Sequence, residues 1–189
     1  MTDTLLDSYS EVNQDDYLLI DAGSRVANGQ SFTTPASPTY KLTSVKFYLR
    51  VGTAQTGTIY AKLYAHTGTY GVDGKPTGGV LATSDAFDVS VLTTSYVLHE
   101  FFFSGAQQYV MSANTYYCIT VGFPVSLSGD ILMGIDNSAP THLGNAAQNW
   151  EGTWYALADS DVIFYVYGLG ALPSPKGTIA IHAKLAGII

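Results

Sequence analysis

Short runs of alternating hydrophobic and polar residues recur along most of the chain. In the clearest run, at 45–51, valine, phenylalanine and leucine alternate with lysine, tyrosine and arginine. A second run, at 59–66, alternates in the same way and follows a turn-rich segment at 52–57. Because successive side chains of a strand point to opposite faces, each run predicts a strand with one buried face. We predict that the two strands form a hairpin.

Comparable runs predict further strands. They lie at 17–20, 30–33, 85–90, 96–103, 115–123, 131–135 and 162–167. The segment 68–79, rich in glycine, is predicted to be a long loop, and no segment combines a helical period with capping residues. Roughly nine or ten strands at this spacing predict an all-β fold, an antiparallel two-sheet β-sandwich of jelly-roll type.

The end of the chain differs from the rest. We predict a sandwich domain over 1–168, a Pro/Gly linker over 169–175 and an extended C-terminal tail over 176–189. The tail is apolar and β-prone, so it is expected to anchor the protein by adding a strand to its own sheet or to a partner's. Its candidate contact residues are Ile179, Ile181, Leu185 and Ile188.

Composition narrows the classes of function. Of the 189 residues, 47% are hydrophobic and 12% are charged, and the net charge is −7. A nucleic-acid partner is not expected, because such proteins carry a basic surface. No apolar run approaches the roughly 18 residues of a membrane span, and the first residues do not form a signal peptide. The expected site of synthesis is therefore a cytoplasm.

Several segments carry a resemblance to a known group of domains. They are LDSYS at 6–10, GQSFT at 29–33, LTSVKFYL at 42–49, AKLYAHTG at 61–68, PTG at 76–78, LATS at 81–84, FFSG at 102–105, SANTYY at 112–117 and FYVYG at 164–168. In these segments the chain resembles a group of jelly-roll β-sandwich domains. They occur in decoration and fibre proteins of phages and other virions and in bacterial surface proteins. Domains of this group are similar to carbohydrate-binding modules.

This resemblance implies a non-enzymatic structural protein of a virion, either a capsid decoration protein or a tail-associated one. Its expected partners are other virion proteins or further copies of itself, and its expected location is the virion, after synthesis in the host cytoplasm. The alternative is a carbohydrate-binding domain that contacts cell-surface glycans through aromatic side chains in loops.

One short stretch concentrates the aromatic candidates for glycan contact. Trp150, Trp154 and Tyr155 lie within six residues around a glycine, and flat aromatic faces stack on sugar rings. His142 and Asn145 would bond sugar hydroxyls if their loop converges on the stretch. Two other interpretations stay open: the tryptophans cover one end of the sandwich, or they anchor a protein interface.

A second candidate surface is the polar face of the predicted hairpin. Tyr48, Tyr60 and Tyr64 alternate there with lysine and arginine, so this face could contact an acidic partner. The alternative is a solvated sheet face.

Metal binding and catalysis receive little support from the sequence. The candidates for a structural calcium ion are Asp130, Asp136, Asp159 and Asp161, none of them at EF-hand spacing, and no other cofactor is expected. Cys118 stands alone in a strand pattern and is predicted to be a small buried residue. No zinc, nucleophile-elbow or phosphate-loop motif is present, so we expect no catalytic residue and no enzyme activity.

Overall fold

The computed structural model describes residues 3–21, 23–123 and 129–170. The strands in chain order are β1 (Thr4–Tyr9), β2 (Asp16–Ile20), β3 (Arg25–Thr33), β4 (Tyr40–Val51), β5 (Thr58–Thr67), β6 (Lys75–Thr83), β7 (Phe87–Asp88), β8 (Val97–Phe102), β9 (Val110–Met111), β10 (Tyr116–Gly122), β11 (Ile131–Asp136), β12 (Ala146–Trp150), β13 (Thr153–Leu157), β14 (Asp161–Val162) and β15 (Phe164–Gly170). Single 3-10 turns lie at Glu11–Asn13, Val89–Val91 and Gly105–Gln107. Within these ranges no helix has the length and apolar character to cross a membrane.

The strands form two antiparallel sheets that pack as a sandwich, which confirms the predicted fold class. The eight-stranded sheet runs β1-β15-β4-β11-β14, with β2 also paired to β11 and with β8 and β9 paired to β4. The seven-stranded sheet runs β13-β12-β3-β10-β5-β6, with β7 paired to β5.

Alternate residues of both sheets fill one core between them. In β4, Val45, Phe47 and Leu49 are fully buried, as their alternation predicts, and β10 contributes Ile119 from the other sheet. Each such side chain stabilises the fold by roughly 1.5–3 kcal/mol relative to an exposed one. Cys118 is buried as predicted, and burial raises the pKa of its thiol.

The predicted hairpin of the first two clear runs is wrong. The runs form β4 and β5, but β4 pairs within the eight-stranded sheet and β5 within the seven-stranded one. The segment 52–57 therefore crosses from one sheet to the other, and alternation fixes which face of a strand is buried without fixing its neighbour. As a result Tyr48 lies in one sheet, whereas Tyr60 and Tyr64 lie in the other.

The loop predicted for 68–79 is shorter than expected, because β6 begins at Lys75. Pro76 lies in this strand opposite His66. The register between β5 and β6 shifts between Leu63 and Ala65. This irregularity is a bulge that accommodates the glycines of β6. At the other end, β15 continues through Gly170, two residues into the predicted linker. The rest of the linker and the tail, with Ile179, Ile181, Leu185 and Ile188, lie outside the described residues.

The seven-stranded sheet curves strongly across its outer face. Its two terminal strands, β13 and β6, stand at opposite ends of the strand order and still contact each other. The curvature brings Trp154 of β13 to within 5.9 Å of Tyr64 of β5, measured between ring centroids. The outer face of this sheet is therefore concave.

Candidate functional site

The hairpin of β12 and β13 carries both tryptophans of the chain. Its two-residue turn, Glu151 and Gly152, has φ angles of 51° and 87°, the left-handed values that a type I′ turn requires. The Glu151 N–H donates to Ser24 O at 2.7 Å, and the Gly152 N–H donates to Asn149 Oδ1 at 2.9 Å. These bonds fix the turn, and the turn fixes the register of the hairpin.

That register places the two tryptophans on opposite faces. Trp150 pairs with Thr153, so Trp154 pairs with Asn149. Neighbouring positions of a strand point to opposite sides, and the side chains of Trp150 and Trp154 accordingly line different depressions. The structure therefore does not join the two tryptophans into the single site that the sequence predicted.

The first depression, the Trp150 groove, is open and has a volume of about 610 Å³. Its lining residues are Gln148, Trp150, Glu151, Thr153, Tyr155 and Leu157. Trp150 and Tyr155 are 45% and 53% exposed. They are diagonal neighbours across the hairpin, a placement with a typical spacing of about 7–8 Å. The groove thus presents two aromatic rings beside an amide, a carboxylate and a hydroxyl.

Arg25 contacts the Trp150 ring of this groove. Its guanidinium carbon lies 5.4 Å from the centre of the Trp150 ring, a cation–π contact. Asp21 lies 3.9 Å from the guanidinium. Burial raises the pKa of Asp21, but three backbone N–H groups, of Ser24, Arg25 and Gly23, donate to its carboxylate and lower the pKa below its ordinary value. Asp21 therefore stays charged and holds Arg25 in place.

The second depression, the Trp154 cleft, lies on the concave face and has a volume of about 110 Å³. Its lining residues are Val26, Ala27, Lys62, Tyr64, Thr120, Gly122, Phe123, Asn149 and Trp154. The rings of Tyr64 and Trp154 meet edge to face at 67°. Burial raises the pKa of Tyr64, so its phenol stays neutral and can donate a hydrogen bond. The cleft combines two aromatic rings with a lysine and an amide.

His142 lies in neither depression of the hairpin. It belongs to a polar cluster, the His142 network, formed by Asp7, Tyr9, Gln30, Asp136, His142 and Asp161. The N–H of Gly144 and the amide of Gln30 approach His142 Nδ1 at 3.0 and 3.1 Å. Since both are N–H donors, Nδ1 is the acceptor, and Nε2–H donates to Asp7 Oδ1 at 3.1 Å. A pocket of about 290 Å³ adjoins the network and is lined by Asp7, Tyr9 and His142 among others.

Asn145 has a structural role in this arrangement. Its side chain is fully buried, and its amide donates to Gly74 O at 2.9 Å and to Ala146 O at 2.8 Å. Both of its amide hydrogens are therefore used inside the protein. Of the five residues predicted for glycan contact, the structure brings together Trp150 and Tyr155 and places Trp154, His142 and Asn145 elsewhere.

The candidate calcium residues are likewise distributed. Asp136 and Asp161 are paired neighbours in β11 and β14 and are buried. Asp136 accepts from Tyr9 OH at 2.6 Å and from two backbone N–H groups, and Asp161 accepts from Gln30 and from the His142 N–H. Asp130 and Asp159 are exposed. Within 3–21, 23–123 and 129–170, no three His, Cys, Asp or Glu side chains form a group that could hold a metal ion.

The three tyrosines predicted for a partner interface also separate. Tyr48 stacks on Tyr96 with ring centroids 5.1 Å apart on the eight-stranded sheet. Tyr64 lines the Trp154 cleft, and Tyr60 lies four residues before it on the same strand. Sequence reasoning did not connect Arg25, Gln148 or Lys62 with the tryptophans. Arg25 follows from the pairing of β3 with β12, and Gln148 lies two residues before Trp150 on the same face of β12. Lys62 follows from the curvature of the sheet.

Comparisons with known proteins locate the fold. No protein-family model matches the chain, and no curated protein matches its sequence. A similar solved structure comprises the cysteine protease and lectin-like domains of a surface-layer-associated protein of Clostridium difficile. The TM-score is 0.50 at 13% sequence identity, and the match covers 83% of this chain and 36% of that one. This chain thus spans about a third of that protein's length, and the likeness shows a shared β-sandwich fold.

Proposed function

We propose that this chain is a non-enzymatic carbohydrate-binding domain and that the Trp150 groove holds the saccharide. The observation that carries the proposal is the exposure of Trp150 and Tyr155, 45% and 53%, side by side in one groove. Large aromatic side chains usually bury most of their surface, so two exposed rings in one depression mark a binding surface.

The chemistry of the groove suits a sugar chain. The C–H groups of a pyranose face pack on an aromatic ring, and two rings in tandem suit a ligand of two or more sugar units. The Gln148 amide already donates to Asn28 Oδ1 at 3.0 Å but can donate its other hydrogen and accept at its oxygen. The Thr153 hydroxyl can do both, and the Glu151 carboxylate accepts from sugar hydroxyls. Arg25 restrains the Trp150 ring, so little further ordering of this ring is needed when a ligand binds. The similar structure from Clostridium difficile, described as containing a lectin-like domain, is consistent with this proposal.

The experiment is a glycan-array screen followed by calorimetric titration of the wild type and of two variants. Trp150→Ala and Tyr155→Ala should each weaken binding at least tenfold, about 1.4 kcal/mol or more, because each removes a stacking surface. Tyr17→Ala is the matched control, since Tyr17 is 47% exposed and does not line the groove. A wild type that binds no glycan, or a Trp150→Ala variant that binds as the wild type does, contradicts the proposal.

A second candidate function, structural protein–protein contact, is favoured by β8. This strand pairs with β4 on one side and exposes Val97 and Phe102 to 44% and 57%. An edge with exposed apolar residues can add to another chain. Assembly into a virion, with the tail over 176–189 as the anchor, remains a prediction from the sequence. Light scattering tests the contact: Phe102→Ser should reduce self-association, and unchanged association argues against β8 as the interface.

A further inference from the structure

We propose that the Trp154 cleft is a second saccharide site and that its ligand is a sugar unit bearing a carboxylate, such as a hexuronate or a sialoside. The site goes beyond the function proposed for the Trp150 groove, because it lies on the opposite face of the hairpin. Its lining set has no residue in common with that groove.

The charge of Lys62 indicates an anionic ligand. Within the described ranges, the ion pairs shorter than 4.0 Å involve Arg25, Lys46 and His142, and none involves Lys62. The segments outside those ranges contain no aspartate or glutamate. Lys62 therefore lines a cleft in a chain of net charge −7, and its ammonium group has no carboxylate side chain as a counterion within 4.0 Å.

No charged side chain lies opposite Lys62 on the two adjoining strands. Lys62 lies within β5, where its neighbours across the two adjoining strands are Thr120 on β10 and Thr83 on β6. Neither threonine carries a charge, and the Lys62 side chain lies on the same, concave side of the sheet as Tyr64. A ligand carboxylate in the cleft would form a charge-assisted hydrogen bond with Lys62, which is stronger than a bond between neutral groups.

Asn149 supplies a second, directed donor. Its Oδ1 accepts the Gly152 N–H at 2.9 Å, which fixes the orientation of the amide. No hydrogen bond of Nδ2 is found among residues 3–21, 23–123 and 129–170. Asn149 lines the cleft, where an amide Nδ2 can donate to a carboxylate or hydroxyl oxygen.

The aromatic pair and a floor of small residues give the cleft its shape. A Cβ on Gly122 would lie 2.4 Å from Val26 O and 2.5 Å from Ala27 Cβ, so a larger residue does not fit where β10 and β3 approach. The floor beneath Trp154 and Tyr64 consequently stays low. A sugar ring can pack on an aromatic side chain while Lys62 and Asn149 contact its substituents.

The test uses the full chain and matched ligands. Acidic oligosaccharides, including oligogalacturonates and sialosides, are titrated beside their methyl esters, which keep the ring and remove the charge. The wild type should bind an acidic ligand at least tenfold more tightly than its ester. Lys62→Gln should abolish this preference, and Trp154→Phe, with Trp154→Ala where it folds, should weaken binding of both ligand forms.

The controls separate this site from the Trp150 groove. Lys75→Gln removes a lysine of β6 that does not line the cleft, and Trp150→Ala alters the other groove, so both should retain the preference for the acid. Equal binding of acid and ester, or an unchanged preference in Lys62→Gln, overturns the proposal for the cleft. Neutral glycans that still bind through Trp150 would in that case leave the function proposed for the groove intact.

Discussion

The His142 network and the Trp150 groove are both rich in polar groups, but they use them in opposite ways. In the network, each oxygen and nitrogen described above has a partner within the protein, and Gln30 and Asp161 are buried. In the groove, Gln148 has one such bond, to Asn28 Oδ1 at 3.0 Å, and the polar groups stand beside two exposed aromatic rings. A polar group bonded inside the protein has little capacity left for a ligand, so burial and bonding distinguish a structural cluster from a binding surface.

The largest effect on stability is expected in the network. Gln30 donates to His142 and Asp161 and accepts the Val162 N–H at 2.8 Å. Gln30→Ala should lower the free energy of unfolding by about 3–4 kcal/mol, since it leaves buried partners without bonds. Urea denaturation measures the change. Gln107→Ala, at an exposed position with one such bond, should cost about 1 kcal/mol or less, and equal losses in the two variants would refute the structural role assigned to the network.

An intermediate effect is expected at the turn that both faces of the hairpin share. Gly152 has a φ of 87°, and a Cβ added there would meet no atom within 4 Å. Gly152→Ala should therefore lower the free energy of unfolding by about 1–2 kcal/mol through backbone strain alone. Binding at the Trp150 groove and at the Trp154 cleft should weaken together. Gly79→Ala is the control, because that site is equally open and lacks the positive φ. Loss at one face with full retention at the other would show that the register does not couple the faces.

The smallest effect is expected in the pH at which two carboxylates, of Asp161 and Asp21, take up their protons. Burial raises the pKa of Asp161, whereas the backbone bonds of Asp21 lower its pKa despite burial. Asp161 should therefore take up its proton at a higher pH than Asp21, as NMR of the carboxyl carbons would show. As pH falls, protonation of Asp161 relieves a cost of burial, whereas the stability contributed by Asp21 is lost as pH falls through its folded-state pKa. The reverse order of titration would contradict the described environments.

Much of the fold could be predicted from the sequence, because burial of one strand face leaves a period of two. The alternation in β4 located that strand and its buried residues. The same pattern does not show that β4 and β5 belong to different sheets, because the alternation within a strand is the same whichever strand pairs with it. The candidate site was harder to predict, because Lys62 and Trp154 line one cleft only as a result of the curvature of the sheet.

The separation of the tryptophans was available in the sequence. A two-residue turn at Glu151 and Gly152 pairs position 150 with 153, so Trp154 must face away from Trp150. Recognising the Glu-Gly turn would have assigned the two rings to different surfaces. The burial of Asn145 and the bonds of His142 depend on residues more than 60 positions away in the chain, and no local pattern reports them.

The alternation of residues along β12 and β13 also bears on how such a domain can diversify. Odd and even positions of each strand serve different surfaces, while one backbone ladder supports both. Substitutions on one surface can therefore accumulate without altering the contacts of the other. The binding properties of the two surfaces can change independently, although both are formed by the twelve residues of one hairpin. A single inserted residue in either strand would reverse its side chains, so the hairpin tolerates changes of sequence far better than changes of length.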